Sequence, residues 1–375
     1  MLVKCVLLFL FMINSINASY NESYNEISSN LYTEELNKNL PEYIINLDLP
    51  PEERWAHIMP KYSAVILEVI NTAYEELPWI FSKTIKYLAK RYFAEIPEDI
   101  GDYGKEMIGI SNYSGINLYE IVLYNIFYEV FSLCTSVVTK SDRHDTIIHA
   151  RNLDFGVLME GVVPLLKKLS ISISFTKNNK VIYKVHTFAG FVGVFTGMKP
   201  YKYSITINQR FAINGGFLGI MKWFRTKTPQ WNSLIVRDLL EGDYNYDHVV
   251  HTLSNAELIA PIYYIVGGLN KTDGALITRE RYYNLMPVFL NSSKYVFQTN
   301  HDHWIEPFYF DDRTTSGKKY LDEKTHTIEN IEQLLKTKPT LNRITIFSSI
   351  MIPKYDYMHG YIQDCIEPCH SINIF

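Results

Sequence analysis

A lone cysteine, an arginine and an aspartate occupy two short segments that the sequence predicts to form one β-hairpin. Cys134 begins a segment that alternates like a strand as far as Thr139, and Arg151 and Asp154 lie in a second such segment. The polar residues between the two segments are typical of a turn. If the turn centres near residues 142 and 143, antiparallel pairing places Cys134 opposite Arg151, with Asp154 just beyond the strand end.

Such a grouping of side chains would suit nucleophilic catalysis by the cysteine. A nearby cation favours the thiolate form of a cysteine, and an anchored carboxylate can orient a hydrogen-bond donor. An ordinary hairpin with a surface ion pair is the alternative that this spacing leaves open. The composition around Cys134 therefore indicates a candidate site and does not by itself decide between the two.

The first residues have the composition of a secretory signal segment, predicted over residues 1–18. An early lysine precedes an unbroken apolar run over residues 6–12, and small or polar residues follow as far as Ala18. The run is too short to span a bilayer, and a buried N-terminal strand is the alternative. Entry into the secretory route would make four Asn-x-Ser/Thr tripeptides candidate N-glycosylation sites: Asn21, Asn112, Asn270 and Asn291.

The four cysteines divide by their positions in the chain. Cys5 lies inside the predicted signal segment, while Cys365 and Cys369 stand close together near the C-terminus. In an oxidising compartment that pair is most simply a local disulfide. Half of a zinc site is the alternative, although the chain has no second close Cys pair. Cys134 is then left alone, either as a small buried hydrophobic residue or as a reactive thiol.

Composition excludes several functional classes. Hydrophobic residues make up 47% of the 375 residues, which suffices for a large core and excludes a disordered chain. The 36 Lys and Arg residues against 40 Asp and Glu residues offer no electrostatic case for nucleic-acid binding. His301 and His303 would share one face of a predicted strand and could begin a metal site, but no third ligand is evident. We expect neither a metal nor an organic cofactor.

The predicted elements change character near residue 134. Before it the pattern is mostly helical, with helices predicted over 52–59, 64–76, 79–93 and 118–133. After it, short strands bounded by turn residues are predicted over 170–175, 181–185, 203–208, 262–266, 275–278, 295–298 and 344–347. Helical segments intervene near 230–257 and 327–336. No flexible linker separates the two parts, so we predict one globular unit of the α+β class with an α-rich front piece.

The segments around Cys134 resemble the nucleophile region of a known family. Leu133-Cys-Thr-Ser-Val-Val138 and Ile148-His-Ala-Arg-Asn-Leu-Asp-Phe-Gly156 closely resemble that region in the family of acid ceramidase and N-acylethanolamine acid amidase. The likeness spans about residues 43–370 and includes further segments at 46–55, 124–129, 188–193, 213–219, 298–304 and 311–313.

The resemblance implies the fold of the N-terminal-nucleophile hydrolases. This fold is an αββα sandwich of two stacked antiparallel sheets between helices, here with a helical α-chain packed alongside. The resemblance also implies an inactive precursor that cleaves itself at the Leu133–Cys134 bond. Residues 1–18 would be the signal peptide, 19–133 the helical α-subunit and 134–375 the catalytic β-subunit, which agrees with the break in predicted elements.

The resemblance also implies a role for each site residue. Cleavage would make Cys134 the new N-terminus, so that the nucleophilic thiol and a proton-accepting α-amine belong to one residue. Arg151 would support the thiolate, and Asp154 would fix the α-amine. Asn300 would donate a hydrogen bond to the oxyanion of the tetrahedral intermediate, and Arg313 would brace this cluster.

Two features depart from the family pattern. The family usually has Glu where this chain has Gln209, which keeps the shape and the hydrogen bonding but loses the charge. Gln209 is therefore a possible processing or substrate-site position, where the change would affect self-cleavage or the pH optimum. No cysteine remains in the predicted α-subunit once Cys5 is removed. We expect an α/β heterodimer without an interchain disulfide, held by packing alone and separable without reductant.

The implied activity is that of an acid ceramidase-like amidohydrolase, which converts ceramide to sphingosine and a fatty acid through a Cys134 thioester. N-acylethanolamine hydrolysis is the first alternative, although residues 213–219 and the Cys365/Cys369 pair look more like the ceramidase branch. An inactive secreted lipid-binding homologue is the second, suggested only by Gln209. The expected location is the lysosome, the exterior or both.

A ceramide substrate resides in a membrane, so the expected partners include a membrane surface and a saposin-like lipid-transfer protein, as the resemblance suggests. The aromatic-rich segment 79–93 is a candidate for an apolar rim that faces the membrane, with ordinary core packing as the alternative.

Overall fold

The computed structural model describes residues 38–77, 79–127, 132–155, 160–210, 215–228, 230–307 and 311–369. The predicted signal segment, Cys5, Asn21 and residues 213 and 214 lie outside the described residues. No helix within these ranges is long and apolar enough to cross a membrane.

The strands of the described residues form an eight-stranded and a five-stranded sheet. In chain order the strands are β1 (Glu42–Asn46), β2 (Ser132–Lys140), β3 (Ile147–Phe155), β4 (Ser170–Lys177), β5 (Lys180–Phe188), β6 (Thr196–Lys199), β7 (Tyr203–Gln209), β8 (Ile262–Gly267), β9 (Gly274–Arg279), β10 (Asn284–Phe289), β11 (Tyr295–Gln298), β12 (Thr345–Ile352) and β13 (Tyr357–Ile362). The large sheet has the order β1-β4-β5-β6-β7-β8-β9-β10, and the small sheet has the order β11-β2-β3-β12-β13. All neighbouring strands are antiparallel except the parallel pair β1 and β4.

The helices of the described residues lie between these strands along the chain. They are α1 (Met59–Glu76), α2 (Trp79–Tyr92), α3 (Ile96–Asp99), α4 (Asp102–Ser114), α5 (Leu118–Phe127), α6 (Val163–Leu169), α7 (Gly215–Thr226), α8 (Asn232–Glu241), α9 (Tyr246–Asn255), α10 (Arg313–Glu323) and α11 (Ile328–Lys336). Helices α8 and α9 pack on the large sheet, and α10 and α11 pack on the small sheet. Strand β2 packs against β7 and β8 of the other sheet. The predicted αββα sandwich is therefore confirmed.

The alternation of side chains along β2 explains why both faces of the small sheet are apolar. Val138 lies in an apolar cluster with Tyr263 and Ile265 of the large sheet, whereas Val137 lies in a cluster with Leu334 of helix α11. Successive side chains of a strand point to opposite faces. Even-numbered residues of β2 therefore face the space between the sheets, and odd-numbered residues face the helical layer. This rule decides where the candidate site residues point.

Three helix assignments differ from the structure, and each difference has a physical reason. The helix predicted over 52–59 is a 3₁₀ helix over Pro51–Glu53 followed by turns, because Pro60 favours the start of a helix and α1 begins only at Met59. The helix predicted over 118–133 ends at Phe127, and Ser132 already belongs to β2. An apolar run does not by itself distinguish a buried helix from a buried strand, so the sequence does not show where the helix ends and β2 begins. Helix α4 was not predicted because it contains internal glycines. A side chain at Gly104 would collide with the backbone of Pro97, so that glycine permits close packing.

Residues before and after position 133 are joined by more than apolar contacts. Strand β1 pairs with β4 inside the large sheet, and the Leu40 amide donates to the Gly360 carbonyl at 3.0 Å. Glu106 and Arg237 form a fully buried ion pair with an Nη2–Oε1 distance of 2.7 Å. A strand pairing, a backbone hydrogen bond and a buried ion pair therefore add to the apolar packing between the two predicted pieces.

The described C-terminal region contains a disulfide between Cys365 and Cys369. The free cysteine among the described residues is Cys134, and it is buried. The side chains of Asn112, Asn270 and Asn291 are exposed, so the protein surface leaves all three predicted glycosylation positions accessible.

Candidate active site

The β2–β3 hairpin brings the candidate residues together in a register that differs from the predicted one. Cys134 pairs with Leu153, and Arg151 pairs with Ser136. The predicted pairing of Cys134 with Arg151 is wrong by two residues, because the turn lies one position further along than assumed. Since side chains alternate with a period of two, this shift leaves every side chain on the expected face. Asp154 lies within β3 rather than beyond its end.

The Cys134 thiol lies between the two sheets and is fully buried. Arg151 is diagonal to it on the same face, and its Nη2 donates a hydrogen bond to the Cys134 Sγ. The other guanidinium nitrogen, Nη1, donates to the Phe195 carbonyl and to the Thr196 Oγ1, both at 2.9 Å. These bonds to the large sheet fix the plane of the guanidinium, so Arg151 is held against the sulfur.

The protonation state of the thiol follows from its surroundings in the intact chain. Burial raises the pKa of Cys134 to about 11; the Arg151 charge opposes that increase, and Asp154 adds to it. The Cys134 sulfur therefore carries its proton at neutral and acidic pH. A thiol in this state retains a proton that it can deliver as it attacks a neighbouring carbonyl.

Asp154 faces the helical layer, on the opposite side of the sheet from the Cys134 side chain. Its Oδ2 accepts from the Arg313 Nη1 and the Asn342 Nδ2, both at 3.1 Å, and its Oδ1 accepts from the Thr345 Oγ1 at 2.7 Å. Burial raises the pKa of Asp154 despite the lowering effects of Arg313 and these hydrogen bonds. Asp154 thus acts on Cys134 in two ways: its charge raises the thiol pKa, and its carboxylate binds the Arg313 that contacts the backbone of Cys134.

Asn300 and Arg313 hold the backbone of Cys134. The Cys134 N–H donates to the Asn300 Oδ1 at 2.8 Å, and the Arg313 Nη1 donates to the Cys134 carbonyl at 3.2 Å. Arg313 Nη2 also donates to the Asn300 Oδ1 at 3.1 Å, and Asp311 accepts from Arg313 through two bonds of 2.7 Å. The nitrogen of the Leu133–Cys134 bond is therefore held by Asn300 in the intact chain. The contact of Asp154 with the α-amine that cleavage would create stays a prediction.

Gln209 reaches the cluster through its backbone. The Asn300 Nδ2 donates to the Gln209 carbonyl at 2.8 Å, at the end of β7. The five predicted residues Cys134, Arg151, Asp154, Asn300 and Arg313 thus form one continuous buried network, with Gln209 at its edge. The roles assigned to them remain predictions, but their convergence is a property of the structure.

The sequence reasoning missed three residues of this network, Asn208, Asn342 and Thr345. Asn208 donates to the Gln298 carbonyl at 2.8 Å and to the Cys134 carbonyl at 3.4 Å, and it accepts from the Ser136 Oγ at 2.7 Å. Asn342 and Thr345 hold Asp154, as described above. Asn208 stands beside Gln209 in a stretch already compared with the family, so it could have been found. No motif marks Asn342 or Thr345, because only the fold brings them to β3.

His301 and His303 lie beyond the end of β11, outside any strand of the described residues. The predicted strand face carrying two imidazoles is therefore wrong. The intervening Asp302 binds Arg210 instead, and no group of three or more His, Cys, Asp or Glu side chains in the described ranges could hold a metal ion.

An apolar cavity of about 20 Å³ lies between helices α3 to α5 and the loop after β5. Its lining includes Met107, Val122 and Phe191. The Phe191 ring stacks on Phe195, whose carbonyl accepts from Arg151. This apolar region therefore adjoins the guanidinium that contacts the sulfur, although in the intact chain the cavity is too small to hold a lipid chain.

Comparison with known families and proteins agrees with this geometry. A family described as linear amide C-N hydrolases, the choloylglycine hydrolase family, matches residues 134–318, so the match begins at Cys134. A second, described as the beta subunit of N-acylethanolamine-hydrolyzing acid amidase, matches residues 38–96.

Relatives with high coverage are acid ceramidases. The chain is 37% identical over 349 residues to acid ceramidase of Mus musculus and 35% identical over 347 residues to that of Homo sapiens, with 88% of each chain covered in both comparisons. A solved structure of the Caenorhabditis elegans N-acylethanolamine-hydrolyzing acid amidase ortholog is similar with a TM-score of 0.53 and 29% identity. That similarity covers 62% of this chain and all of the other.

Proposed function

This chain belongs to the acid ceramidase family, and on that premise we propose that it hydrolyses the N-acyl amide of ceramide to sphingosine and a free fatty acid. The observation that carries the proposal is the environment of the buried Cys134. Its sulfur accepts a hydrogen bond from Arg151, and its backbone N–H donates to Asn300 at 2.8 Å. A nucleophile, a cationic donor and a held amide nitrogen are the parts that amide cleavage requires.

The first reaction of the proposal is cleavage of the Leu133–Cys134 bond. The Cys134 sulfur attacks the Leu133 carbonyl carbon, and the thiol proton passes to the departing nitrogen. Water then hydrolyses the resulting thioester, which frees the Leu133 carboxyl group, restores the thiol and leaves an α-amine on Cys134. The raised thiol pKa supports this route because the proton that the nitrogen needs is present on the sulfur.

The second reaction uses the same residues on a lipid amide. A free α-amine has a pKa of about 7.7–8.0, so it can accept the thiol proton and return it to the departing sphingoid nitrogen. Arg151 supports the thiolate, the Asn300 carboxamide donates to the oxyanion, and Arg313 braces Asn300 and Asp154. Water activated by the amine hydrolyses the acyl thioester and releases the fatty acid.

Cleavage would leave pieces 19–133 and 134–375 associated without a disulfide. The buried Glu106–Arg237 pair and the β1–β4 pairing support this part of the proposal. The processed protein should elute as one species under native conditions and separate into two chains in denaturant without reductant. The exposed Asn112, Asn270 and Asn291, with the predicted signal segment, support N-glycosylation and a lysosomal or secreted location.

A substrate that resides in a membrane must reach Cys134 from the protein surface. Exposed aromatic side chains of helix α2, Tyr87 and Tyr92, support contact of this helix with a membrane surface or with a saposin-like transfer protein. The small apolar cavity beside Phe191 supports an acyl-chain path that opens when the chain is processed.

Recombinant full-length protein tests the proposal directly. Intact-mass analysis should find a chain that begins at Cys134, and ceramide should be hydrolysed at acidic pH. N-acylethanolamine hydrolysis is the second candidate, favoured by the amidase structure with a TM-score of 0.53. Faster turnover of N-palmitoylethanolamine than of ceramide would establish that alternative. A persistent single chain without hydrolysis of either lipid would instead indicate an inactive lipid-binding homologue.

A further inference from the structure

Asn300 sits at a junction between two segments that are remote in sequence. Its Nδ2 donates to the Gln209 carbonyl at the end of β7, and its Oδ1 accepts from the Cys134 N–H, both at 2.8 Å. The position of the carboxamide therefore depends on how β7 and the segment after β11 lie relative to each other. A carboxamide on a segment without regular structure needs additional support to keep that position.

An ion pair supplies a second link between the same segments. Arg210 directly follows Gln209, and Asp302 stands two residues after Asn300. Arg210 donates to Asp302 through Nε at 2.6 Å and through Nη2 at 2.8 Å. Two parallel bonds between a guanidinium and a carboxylate fix both distance and orientation, which one bond cannot do.

The Arg210–Asp302 pair is itself anchored to the large sheet. The Tyr263 hydroxyl on β8 donates to the Asp302 Oδ1 at 2.7 Å, and Glu280, which follows β9, binds the remaining Nη1 of Arg210. Burial alone would raise the pKa of Asp302, but the hydrogen bonds from Arg210 and Tyr263 lower it below its usual value. The pair therefore stays ionised under acidic conditions.

We infer that Arg210 and Asp302 are positioning residues that hold the Asn300 carboxamide against Cys134. This inference rests on the proposed function, since it assigns a purpose to the pair within that reaction. The links Asn300–Gln209 and Asp302–Arg210 close one ring between the two segments. Without the ion pair, neutral bonds join β7 to the segment that carries Asn300, namely that of Asn300 to Gln209 and those of Asn208 to the Gln298 and Thr299 carbonyls. These bonds lack the fixed direction of the ion pair, so the carboxamide shifts from the Cys134 nitrogen. A shift of about 1 Å in a reacting group can reduce the rate by roughly 100-fold.

The test compares Asp302→Asn and Arg210→Lys with the wild-type full chain. Asp302→Asn keeps the shape but loses the charge and one acceptor, and Arg210→Lys keeps the charge but loses the parallel bonds. We expect kcat for ceramide and the self-cleavage rate to fall by about 10- to 100-fold, with KM within roughly threefold of wild type. Asp364→Asn is the matched control, since it breaks the 2.7 Å Lys167–Asp364 pair outside the cluster around Cys134.

A double variant distinguishes positioning from general stability. If Asp302 acts through Asn300, Asp302→Asn should slow self-cleavage by less than about threefold in an Asn300→Ala background, because coupled residues are not additive. Wild-type rates in both single variants, or full additivity with Asn300→Ala, would overturn the inference. If Asp302→Asn fails to fold, Arg210→Lys decides. Absence of self-cleavage and hydrolysis in the wild-type protein would instead overturn the proposed function and, with it, this inference.

Discussion

Two buried arginine clusters of this protein use the same side-chain chemistry for different ends. In the first, Glu106 accepts from Arg54, Trp55 and Arg237 at 2.7–2.9 Å, and every charge faces a partner. In the second, Arg151 and Arg313 converge on a thiol and on the backbone of one residue. A buried ion pair is therefore weak evidence for a site, whereas buried donors directed at a neutral nucleophile are strong evidence.

The pKa values of the carboxylates in the two clusters are shifted in opposite directions. Burial raises the pKa of both, but Arg237, Arg54 and Trp55 outweigh burial at Glu106, so its pKa is lowered. At Asp154 burial outweighs Arg313, Thr345 and Asn342, and the pKa is raised. In the first cluster the hydrogen bonds and opposite charges outweigh the electrostatic cost of burying Glu106, and the Glu106–Arg237 pair joins helix α4 to helix α8. The second keeps an ionisation penalty beside the thiol, as expected where chemistry takes precedence over stability.

The largest expected effect separates the clusters completely. Cys134→Ala should abolish self-cleavage and reduce ceramide hydrolysis by more than about 10⁴-fold, because it removes the nucleophile of both reactions. Intact-mass analysis and product release measure the two effects. Any Cys134→Ala protein that still yields a chain beginning at residue 134 would contradict the mechanism.

Glu106→Gln should cause the largest loss of stability. It leaves Arg54 and Arg237 buried without their carboxylate, which should lower the free energy of unfolding by about 3–5 kcal/mol. Thermal or urea unfolding measures this loss, and kcat per folded molecule should not change. The control is Glu241→Gln, which removes a 30%-exposed partner of Arg237 and should lower stability by less than about 1 kcal/mol. Equal losses in the two variants would contradict the distinction.

Thr345→Val should have a smaller effect, on the reactive cluster alone. It removes the 2.7 Å bond to Asp154 with little change in shape, which should reduce stability by about 1.5–3 kcal/mol and kcat by up to about tenfold. Thr187→Val is the matched control, because the buried Thr187 Oγ1 has no hydrogen-bond partner among the described residues. A kcat loss shared by both variants would show that the Asp154 bond has no special effect.

The smallest expected effect is a difference in pH dependence. Because the folded pKa of Glu106 is lowered, its contribution is fully present above the unfolded pKa and is lost as pH falls through the folded pKa. The stability advantage of wild type over Glu106→Gln should therefore shrink as the pH falls below the unfolded pKa of glutamate, by about 1.4 kcal/mol for each unit by which the folded pKa is lowered.

The folded pKa of Asp154 is raised, so its contribution is present below the unfolded pKa and is lost as pH rises through the folded pKa. The advantage of wild type over Asp154→Asn should therefore shrink in the opposite direction, as pH rises. Urea unfolding at several pH values measures both slopes. Slopes of the same sign would show that the two carboxylates do not differ as described.

Sequence reasoning reached the fold class and the site residues by different routes. Alternating apolar residues predicted most strands of both sheets, because a buried strand requires that pattern. The helix over 118–133 was predicted too long, since apolar composition continues from α5 into β2. The hairpin register was predicted two residues out, since the exact turn depends on contacts that the turn residues make in the folded protein. Because side chains along a strand alternate with a period of two, an error of two residues did not change the predicted face of the sheet on which each side chain lies.

The sequence by itself predicted Cys134 as the nucleophile and a division of the chain near residue 134, and its resemblance to known segments indicated the amidase family, because residue type and local order are enough for such a comparison. Only the tertiary structure decided that Asn300 holds the Cys134 nitrogen in the intact chain, that Thr345 and Asn342 support Asp154, and that a buried ion pair joins the segments on either side of residue 133. These contacts join residues that are 131 to 191 positions apart in the chain, from the Arg237–Glu106 pair to the Thr345–Asp154 bond. Sequence patterns are local, whereas the direction of a hydrogen bond between remote segments is fixed only when the sheets and helices pack together.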